Sequence, residues 1–412
     1  MFALIDCNNF YASCERVFQP QYEGKAVVIL SNNDGCVIAR SNEAKALGIP
    51  MGAPAFKFRS EFKKYNIKVF SSNYPLYGDM SHRVMTILEE YTPNVEIYSI
   101  DEAFLKFEGF EYFDLRETGL KIRKQVRQWT GIPVSIGIAP SKALAKIANK
   151  IAKKFANKTG GIYCIDNDEK RLKALKWTAI SDVWGVGIRH DKRLRGLGVK
   201  SALDFVNLPD SWVKKNLSIL GLRLKRDLQG APTIQLEETV PAKKSIATTR
   251  SFKSTLSTFS NLEERITTYT LLGAEKLRKQ RSCASAIYVF VRSNPFQKEA
   301  EQYRNGCTVK LPYSTDSSLI LNQYALKGLK SIFRSGIEYK KAGILLLGLT
   351  PSISRQMSLF ENIFHNQVLM TFLIASIWIV PGFVFTRMTN QKFKRREIAR
   401  QAKRVSKLYP SS

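Results

Sequence analysis

FALIDCNNFYASCE, residues 2–15, opens the chain, and its first six residues read as a short buried strand ending at an acid, Asp6. Far downstream a second pair of acids, Asp101-Glu102, stands at the junction of two β-rich runs, VEIYSI (95–100) and AFLKF (103–107). Buried strands seldom end in acids without a compensating partner, because an unpaired buried carboxylate is costly. A pair of Mg²⁺ ions tolerates three carboxylates, since Mg²⁺ takes hard oxygen ligands. Two such ions about 3.5–4 Å apart stabilise both the attacking and the leaving oxygen in phosphoryl transfer. Neighbouring side chains on a regular strand point to opposite faces, so Asp101 and Glu102 reach one metal pair only where the backbone turns. On these residues alone, a surface hairpin with two solvated acids is an equal reading.

Around these acids the chain alternates. AVVIL (26–30) and CVIAR (36–40) are strands joined through Asp34-Gly35, a hairpin signal in which Gly supplies the positive φ. Ser41 caps the following helix and Gly48 ends it. VSIGI (134–138) leads into a helix from about Ser141, with Leu144, Ile147, Ala148, Ile151 and Phe155 on one stripe. Residues 141–158 also carry Lys142, Lys146, Lys150, Lys153, Lys154 and Lys158 with no acid, which fits a solvated basic face or an anion-facing one equally. Residues 166–235 read as helical and basic. Residues 231–245 read as a linker, and 240–350 as a separate α/β module with strands at 286–292, 307–311 and 342–349 and a helix over 261–280.

The length of 412 residues suits roughly two to four domains and needs no disulfide or structural metal. Lys and Arg number 64 against 35 acids, a net charge of +29 that marks a polyanion partner, nucleic acid or an anionic membrane face. Six cysteines without a C-x-x-C pair, and three histidines away from zinc spacing, argue for a reduced cytoplasmic compartment and no zinc site. The N-terminus carries no basic n-region and meets Asp6 too early for a signal peptide.

DCNNFYASCE (6–15), NNDGCVIARSNEAKALGIPMG (32–52), SIDEAFL (99–105), GIAPSKALAKIANKIAK (137–153) and VWGVG (183–187) resemble, in order and separation, the signature segments of the Y-family, lesion-bypassing DNA polymerases. Within that family the chain resembles the UmuC branch, the catalytic subunits of bacterial DNA polymerase V and their plasmid relatives. The resemblance implies an α/β (α+β) multidomain, right-hand fold: a ferredoxin-like palm (1–20 and 75–165), small fingers (21–74) and a helical thumb with a helix-hairpin-helix (166–232). It further implies an α/β little finger (240–350) and a tail (351–412). Asp6, Asp101 and Glu102, with the Cys7 carbonyl, would hold two Mg²⁺ ions. The primer 3′-hydroxyl would then attack the α-phosphate of the incoming dNTP, an error-prone, template-directed synthesis across lesions in the SOS response. Tyr11 takes the place of the steric gate against a 2′-hydroxyl, with Phe10 beside it. Arg40 and Lys45 are the triphosphate cations of the fingers, although Lys45 stands where many relatives have Arg and Asn42 where many have Tyr. One palm lysine completes the set, Lys158 by counting from the Gly160-Gly161 turn or Lys153 by counting along the helix, and Lys158 is preferred. Gly35, Cys36 and Ile38 would lie over the templating base.

The resemblance assigns Gly185, Gly187, Arg189, Lys192 and Arg193 to a turn gripping DNA phosphates without reading sequence. Gln356, Leu359 and Phe360 resemble the short peptide by which bacterial polymerases dock on the sliding clamp. Implied partners are primer–template DNA, dNTP, the sliding clamp, a UmuD′-like dimer and RecA. The alternative is a non-catalytic DNA-binding or scaffold protein that keeps the fold. Beyond residue 370 the resemblance fails. VLMTFLIASIWIVPGFVF (368–385) is uncharged, and residues 387–412 then carry nine Lys or Arg against one Glu. Three readings stand: a shifted reading frame, a membrane or lipid-surface anchor, or a buried helix with a basic DNA-binding tail.

Overall fold

A computed structural model describes residues 1–109, 112–237, 242–297 and 299–354. These residues divide into two compact units, 1–237 and 242–354. The first unit opens with β1 (Phe2–Cys7), α1 (Phe10–Phe18), β2 (Val27–Leu30), β3 (Val37–Arg40), α2 (Asn42–Ala46), α3 (Arg59–Lys64) and β4 (Lys68–Ser71). It continues through α4 (Tyr74–Glu89), β5 (Val95–Ile97), β6 (Glu102–Lys106), α5 (Leu115–Thr130) and β7 (Val134–Ala139). Next come α6 (Lys142–Lys154), α7 (Ala156–Thr159) and β8 (Ile162–Cys164). The helices α8 (Asp168–Trp177), α9 (Ile188–Arg195), α10 (Ala202–Val206) and α11 (Asp210–Leu228) complete it.

β1 is the middle strand of a sheet ordered β5-β6-β1-β7-β8, antiparallel to both neighbours. Its apolar run is unbroken because both faces are buried. Ala3, Ile5 and Cys7 enter a core with Tyr77 and Leu88 of α4 and Ile122 and Val126 of α5. Phe2 and Leu4 enter another with Leu144, Ile147 and Ile151 of α6 and with Leu194 of α9. α6 rests directly on β7 at Gly137, where a Cβ would stand 2.1 Å from the Asn149 amide nitrogen. The Asn149 amide bonds the carbonyls of Leu4 and Ser135 beneath it, at 3.2 and 2.7 Å. Register and helix position are thereby joined at one point.

A separate three-stranded sheet, β3-β2-β4, has its own small core. The β2–β3 hairpin forms as expected, with one correction: Asp34, not Gly35, takes the left-handed conformation, at φ 53°. Asp tolerates that region because its short polar side chain bonds locally.

The second unit runs β9 (Ile246–Leu256), α12 (Phe259–Lys279), β10 (Ser282–Ser293), β11 (Arg304–Thr315), α13 (Ser318–Ile332) and β12 (Tyr339–Pro351). Its strands form an antiparallel sheet ordered β11-β10-β12-β9, with α12 and α13 closing its core. β9 and α13 are additions to the elements read from sequence.

The linker reading is corrected over 231–237. Asp227, wholly buried, accepts hydrogen bonds from the amides of Thr233 (2.8 Å) and Ile234 (3.0 Å). Glu96 accepts another from Glu237 at 2.8 Å, so this stretch is pinned to the first unit. Gln356, Leu359, Phe360 and the apolar run 368–385 lie outside the described residues. No helix among the described residues is long and apolar enough to cross a membrane.

Candidate active site

Strand register brings the distant acids together. Asp6 on β1 stands opposite Glu102 on β6, and the Cys7 amide donates to the Asp101 carbonyl at 2.8 Å. The turn that the two consecutive acids require is present and is built on Ser99. Its hydroxyl accepts from the amides of Asp101 and Glu102, at 3.2 and 3.0 Å, and donates to the Asp101 carboxylate at 2.6 Å. Asp6 and Glu102 are within hydrogen-bonding reach of each other. Burial pushes the Asp6 carboxyl up to about 7; Lys153 opposes the rise and the Glu102 charge adds to it. The Asp101 carboxylate is turned onto Ser99, and among the described residues no three His, Cys, Asp or Glu side chains are gathered into a ready metal cage. Two of the acids therefore converge through their side chains and the third through its backbone.

Cations surround them. Lys153 pairs with Asp6, and Lys146 with Glu102 at 2.9 Å. Lys45 donates to the Asn9 amide oxygen at 2.5 Å, and Asn9 donates to Asn42 at 2.9 Å. Burial depresses the Lys45 pKa, and the charges of Arg40 and Lys153 depress it further, which sets all three cations in one neighbourhood. Arg40 donates through Nη1 to the Ile49 carbonyl at 2.5 Å, while its Nε is buried without a partner among the described residues.

Lys158 stands apart from the acids. It lies on α7 and lines an 830 Å³ cavity with Met1, Phe107 and Asp114, at the end of β1 remote from Asp6. Of the two candidates it is Lys153 that reaches a carboxylate, Asp6, because α6 runs unbroken to Lys154. Much of the basic face of α6 is paired within the fold. Lys142, 2% exposed, pairs with Glu96 at 2.6 Å, and Lys150 pairs with Asp182 at 2.5 Å. Lys154 sits 5.3 Å from the Trp177 ring. Acids from other elements thus pair with four of the five lysines of a helix that has no acid of its own.

Tyr11 is held from behind: its ring stacks on Tyr77 at 4.3 Å and meets Tyr74 edge-on at 6.0 Å. The Tyr77 hydroxyl donates to Glu15 at 2.8 Å. Phe10 is a core residue packed under this cluster. α1 starts at Asn9, itself left-handed at φ 49°, with no side-chain cap and no acid in its first turn. Cys36 bridges to Pro54 beside the β2–β3 loop, with Gly35 accepting from the Ala55 amide at 2.9 Å.

Gly185 takes φ 86°, and Gly187 begins α9 without a side-chain cap, leaving Arg189 and Lys192 exposed. Arg193 is committed elsewhere: it bonds the Asn216 carbonyl at 3.1 Å and lies 5.9 Å from the Trp212 ring, tying α9 to α11. Residues that sequence reasoning did not single out are Asn9, Ser99 and Tyr98. The Asn8-Asn9 pair after a buried acid, and a serine two residues before Asp101, were the available signals.

Residues 5–150 match the impB/mucB/samB family, and residues 243–359 match that family's C-terminal domain. Protein UmuC of Salmonella typhimurium is 43% identical over 363 residues, spanning 88% of this chain and 86% of the relative. Protein ImpB of Salmonella typhimurium is 42% identical over the same shares. DNA polymerase IV 1 of Bacillus subtilis is 30% identical over 70% of this chain and 69% of its own. Among solved structures, a Y-family DNA polymerase chimera of Dbh superposes with a TM-score of 0.68 at 22% identity, covering 85% of this chain and 99% of the other. An insertion ternary complex of Dbh DNA polymerase gives 0.53 at 20% identity, over 84% and 98%.

Proposed function

The chain belongs to the impB/mucB/samB family, as a UmuC-like member of the Y-family polymerases, and on that footing we propose how its residues perform template-directed synthesis across damaged DNA. It is a DNA-directed DNA polymerase of the translesion type, and family membership carries divalent-metal dependence with it. The observation that supports the site assignment is the register setting Asp6 against Glu102 with Asp101 tied to Cys7.

Two Mg²⁺ ions would be held by Asp6, Asp101, Glu102 and the Cys7 carbonyl. The donor set fits, being all hard oxygen, with Asp6 and Glu102 set opposite each other across the strand pair. Bound there, the ions would neutralise the triphosphate and acidify the primer 3′-hydroxyl. The chain's own groups do the positioning. Lys153, Arg40 and Lys45 grip the β- and γ-phosphates, beside the uncapped amides at the start of α1. Tyr11, backed by Tyr77, closes the space under the sugar against a 2′-hydroxyl, with Phe10 packed behind. Gly35, Cys36 and Ile38 leave room over the templating base, which admits damaged bases at the expense of accuracy.

Residues 1–20 and 75–165 serve as palm, 21–74 as fingers, 166–232 as thumb and 240–350 as little finger. The turn at Gly185 and Gly187, with Arg189, Lys192 and the exposed Arg193, holds duplex phosphates, and Arg193 also ties α9 to α11. Gln356, Leu359 and Phe360 dock the sliding clamp. A UmuD′-like dimer and RecA complete the assembly in the cytoplasm during the SOS response.

Primer extension with Mg²⁺, four dNTPs and these partners, comparing wild type with Asp101→Ala, tests the reading. Synthesis by the wild type and none by the variant is the expected result. Equal activity in both removes the metal assignment. Salt-sensitive DNA binding without synthesis by either supports the non-catalytic alternative.

A further inference from the structure

Behind Glu102 lies a cluster that neither the catalytic nor the DNA-gripping assignment uses. The Lys146 ammonium, 2.9 Å from Glu102, also stands 4.4 Å from the Tyr98 ring centroid and 5.7 Å from those of Phe104 and Trp184. Tyr98 and Trp184 meet edge to face at 5.8 Å, and the Trp184 indole N–H donates to the Tyr98 hydroxyl at 3.0 Å. Phe104 closes the third side, 5.6 Å from Tyr98 and 6.2 Å from Trp184. One helical turn earlier Lys142 repeats the pattern, 4.7 Å from Phe104 and 5.9 Å from Trp184, with Glu96 as its carboxylate.

The rings come from three places. Tyr98 belongs to the Ser99 turn that presents Asp101, Phe104 to β6 beside Glu102, and Trp184 to the connection immediately before Gly185. An ammonium enclosed by rings and one carboxylate has a fixed direction, because each ring attracts it through its face. Moving Trp184 therefore moves the group that orients Glu102.

We propose that Lys146 and Trp184 are positioning residues that couple the duplex-gripping turn to the catalytic carboxylate Glu102, so that duplex and Mg²⁺·dNTP each tighten the binding of the other. The inference rests on the polymerase reading above. Each ligand acts on this one joint from its own end, the duplex at Trp184 through the adjoining turn and Mg²⁺·dNTP at Glu102. The coupling is reciprocal.

The test uses the full chain and a fluorescent primer–template whose primer ends in a dideoxynucleotide, so that no bond forms. Anisotropy gives the duplex Kd without divalent ion and with Mg²⁺ plus the next correct dNTP. In the wild type the ratio of the two is about tenfold or more. Lys146→Met and Trp184→Phe bring it below about threefold while the metal-free Kd stays within about twofold, and Lys146→Arg keeps the wild-type ratio. Trp184→Phe removes the indole N–H that ties Trp184 to Tyr98 and carries the test if Lys146→Met fails to fold, a Trp184→Phe ratio equal to wild type then overturning the proposal. A wild-type ratio near one, a Lys146→Met ratio equal to wild type, equal weakening in both conditions, or an Arg variant no better than Met overturns the proposal. Failure of the wild type to extend an unblocked primer with its partners supplied instead overturns the polymerase reading.

Discussion

Gly137→Ala tests the packing that places the lysines of α6. The added Cβ would stand 2.1 Å from the Asn149 amide nitrogen and 2.3 Å from the Ala145 carbonyl oxygen, where ordinary contact begins at 3.4 Å. Both atoms are helix backbone, so no side chain can rotate away, and α6 must lift from the sheet by about 1 Å. That face of α6 buries Leu144, Ile147, Ala148 and Ile151, and the Asn149 bonds to Leu4 and Ser135 stretch with it. Ordinary overpacking costs about 1–3 kcal/mol, and a backbone clash belongs at or above the top of that range, about 3 kcal/mol or more. In a unit of this size that lowers Tm by about 6–12 °C, read by thermal unfolding. Lys146 and Lys153 ride on the displaced helix, and misplacement of about 1 Å lowers kcat/KM for dNTP by about 10²-fold. Gly78→Ala is the control: it lies in α4, a Cβ there meets nothing within 4 Å, and it leaves Tm unchanged or raises stability by up to about 1 kcal/mol. A Gly137→Ala protein melting within about 2 °C of wild type refutes the reasoning.

Tyr11→Ala raises the ribonucleotide-to-deoxyribonucleotide ratio of kcat/KM by about tenfold or more, and an unchanged ratio removes Tyr11 as the gate. Lys153→Ala raises the KM for dNTP by about 10–100-fold, as the loss of a charged hydrogen bond demands, whereas Lys158→Ala stays within about twofold; the reverse order restores Lys158. Glu96→Ala strands the buried Lys142 and costs about 3–5 kcal/mol in thermal or denaturant unfolding. Glu96→Leu combined with Lys142→Met recovers most of that loss, and a double variant no better than the single one shows that the pair is not the source.

Elements whose burial is uniform were legible. β1 and β7 are covered on both faces, so their apolar runs announce them without knowledge of the tertiary structure. β9 was not: IATTRSFKSTL is exposed along most of its length, and its Thr, Ser and Lys read as loop until β12 pairs with it. The hairpin at 31–36 shows the same limit at one residue. Asp34-Gly35 announces a turn, but which of the two takes positive φ depends on the Cys36–Pro54 bridge and on Asn33, whose amide oxygen a Cβ at Gly35 would meet at 3.1 Å.

The lysines of α6 show where local pattern stops and folded geometry takes over. Within 141–158 nothing opposes their charge, and a periodicity argument can only offer a solvent face or a polyanion face. Their partners, Asp6, Glu96, Glu102 and Asp182, lie as far as 147 residues away and are delivered by strand register and the thumb connection. One clue was nevertheless local. Lys146 and Lys153 are seven residues apart, two turns of helix, so they share a face, and Lys142 is one turn before Lys146 on that side. Lys158 lies beyond the helix end at Phe155, out of that phase. Counting back from the Gly160-Gly161 turn ignores that break, whereas counting along the helix respects it, and Lys153, in phase with Lys146, is the one the fold pairs with Asp6.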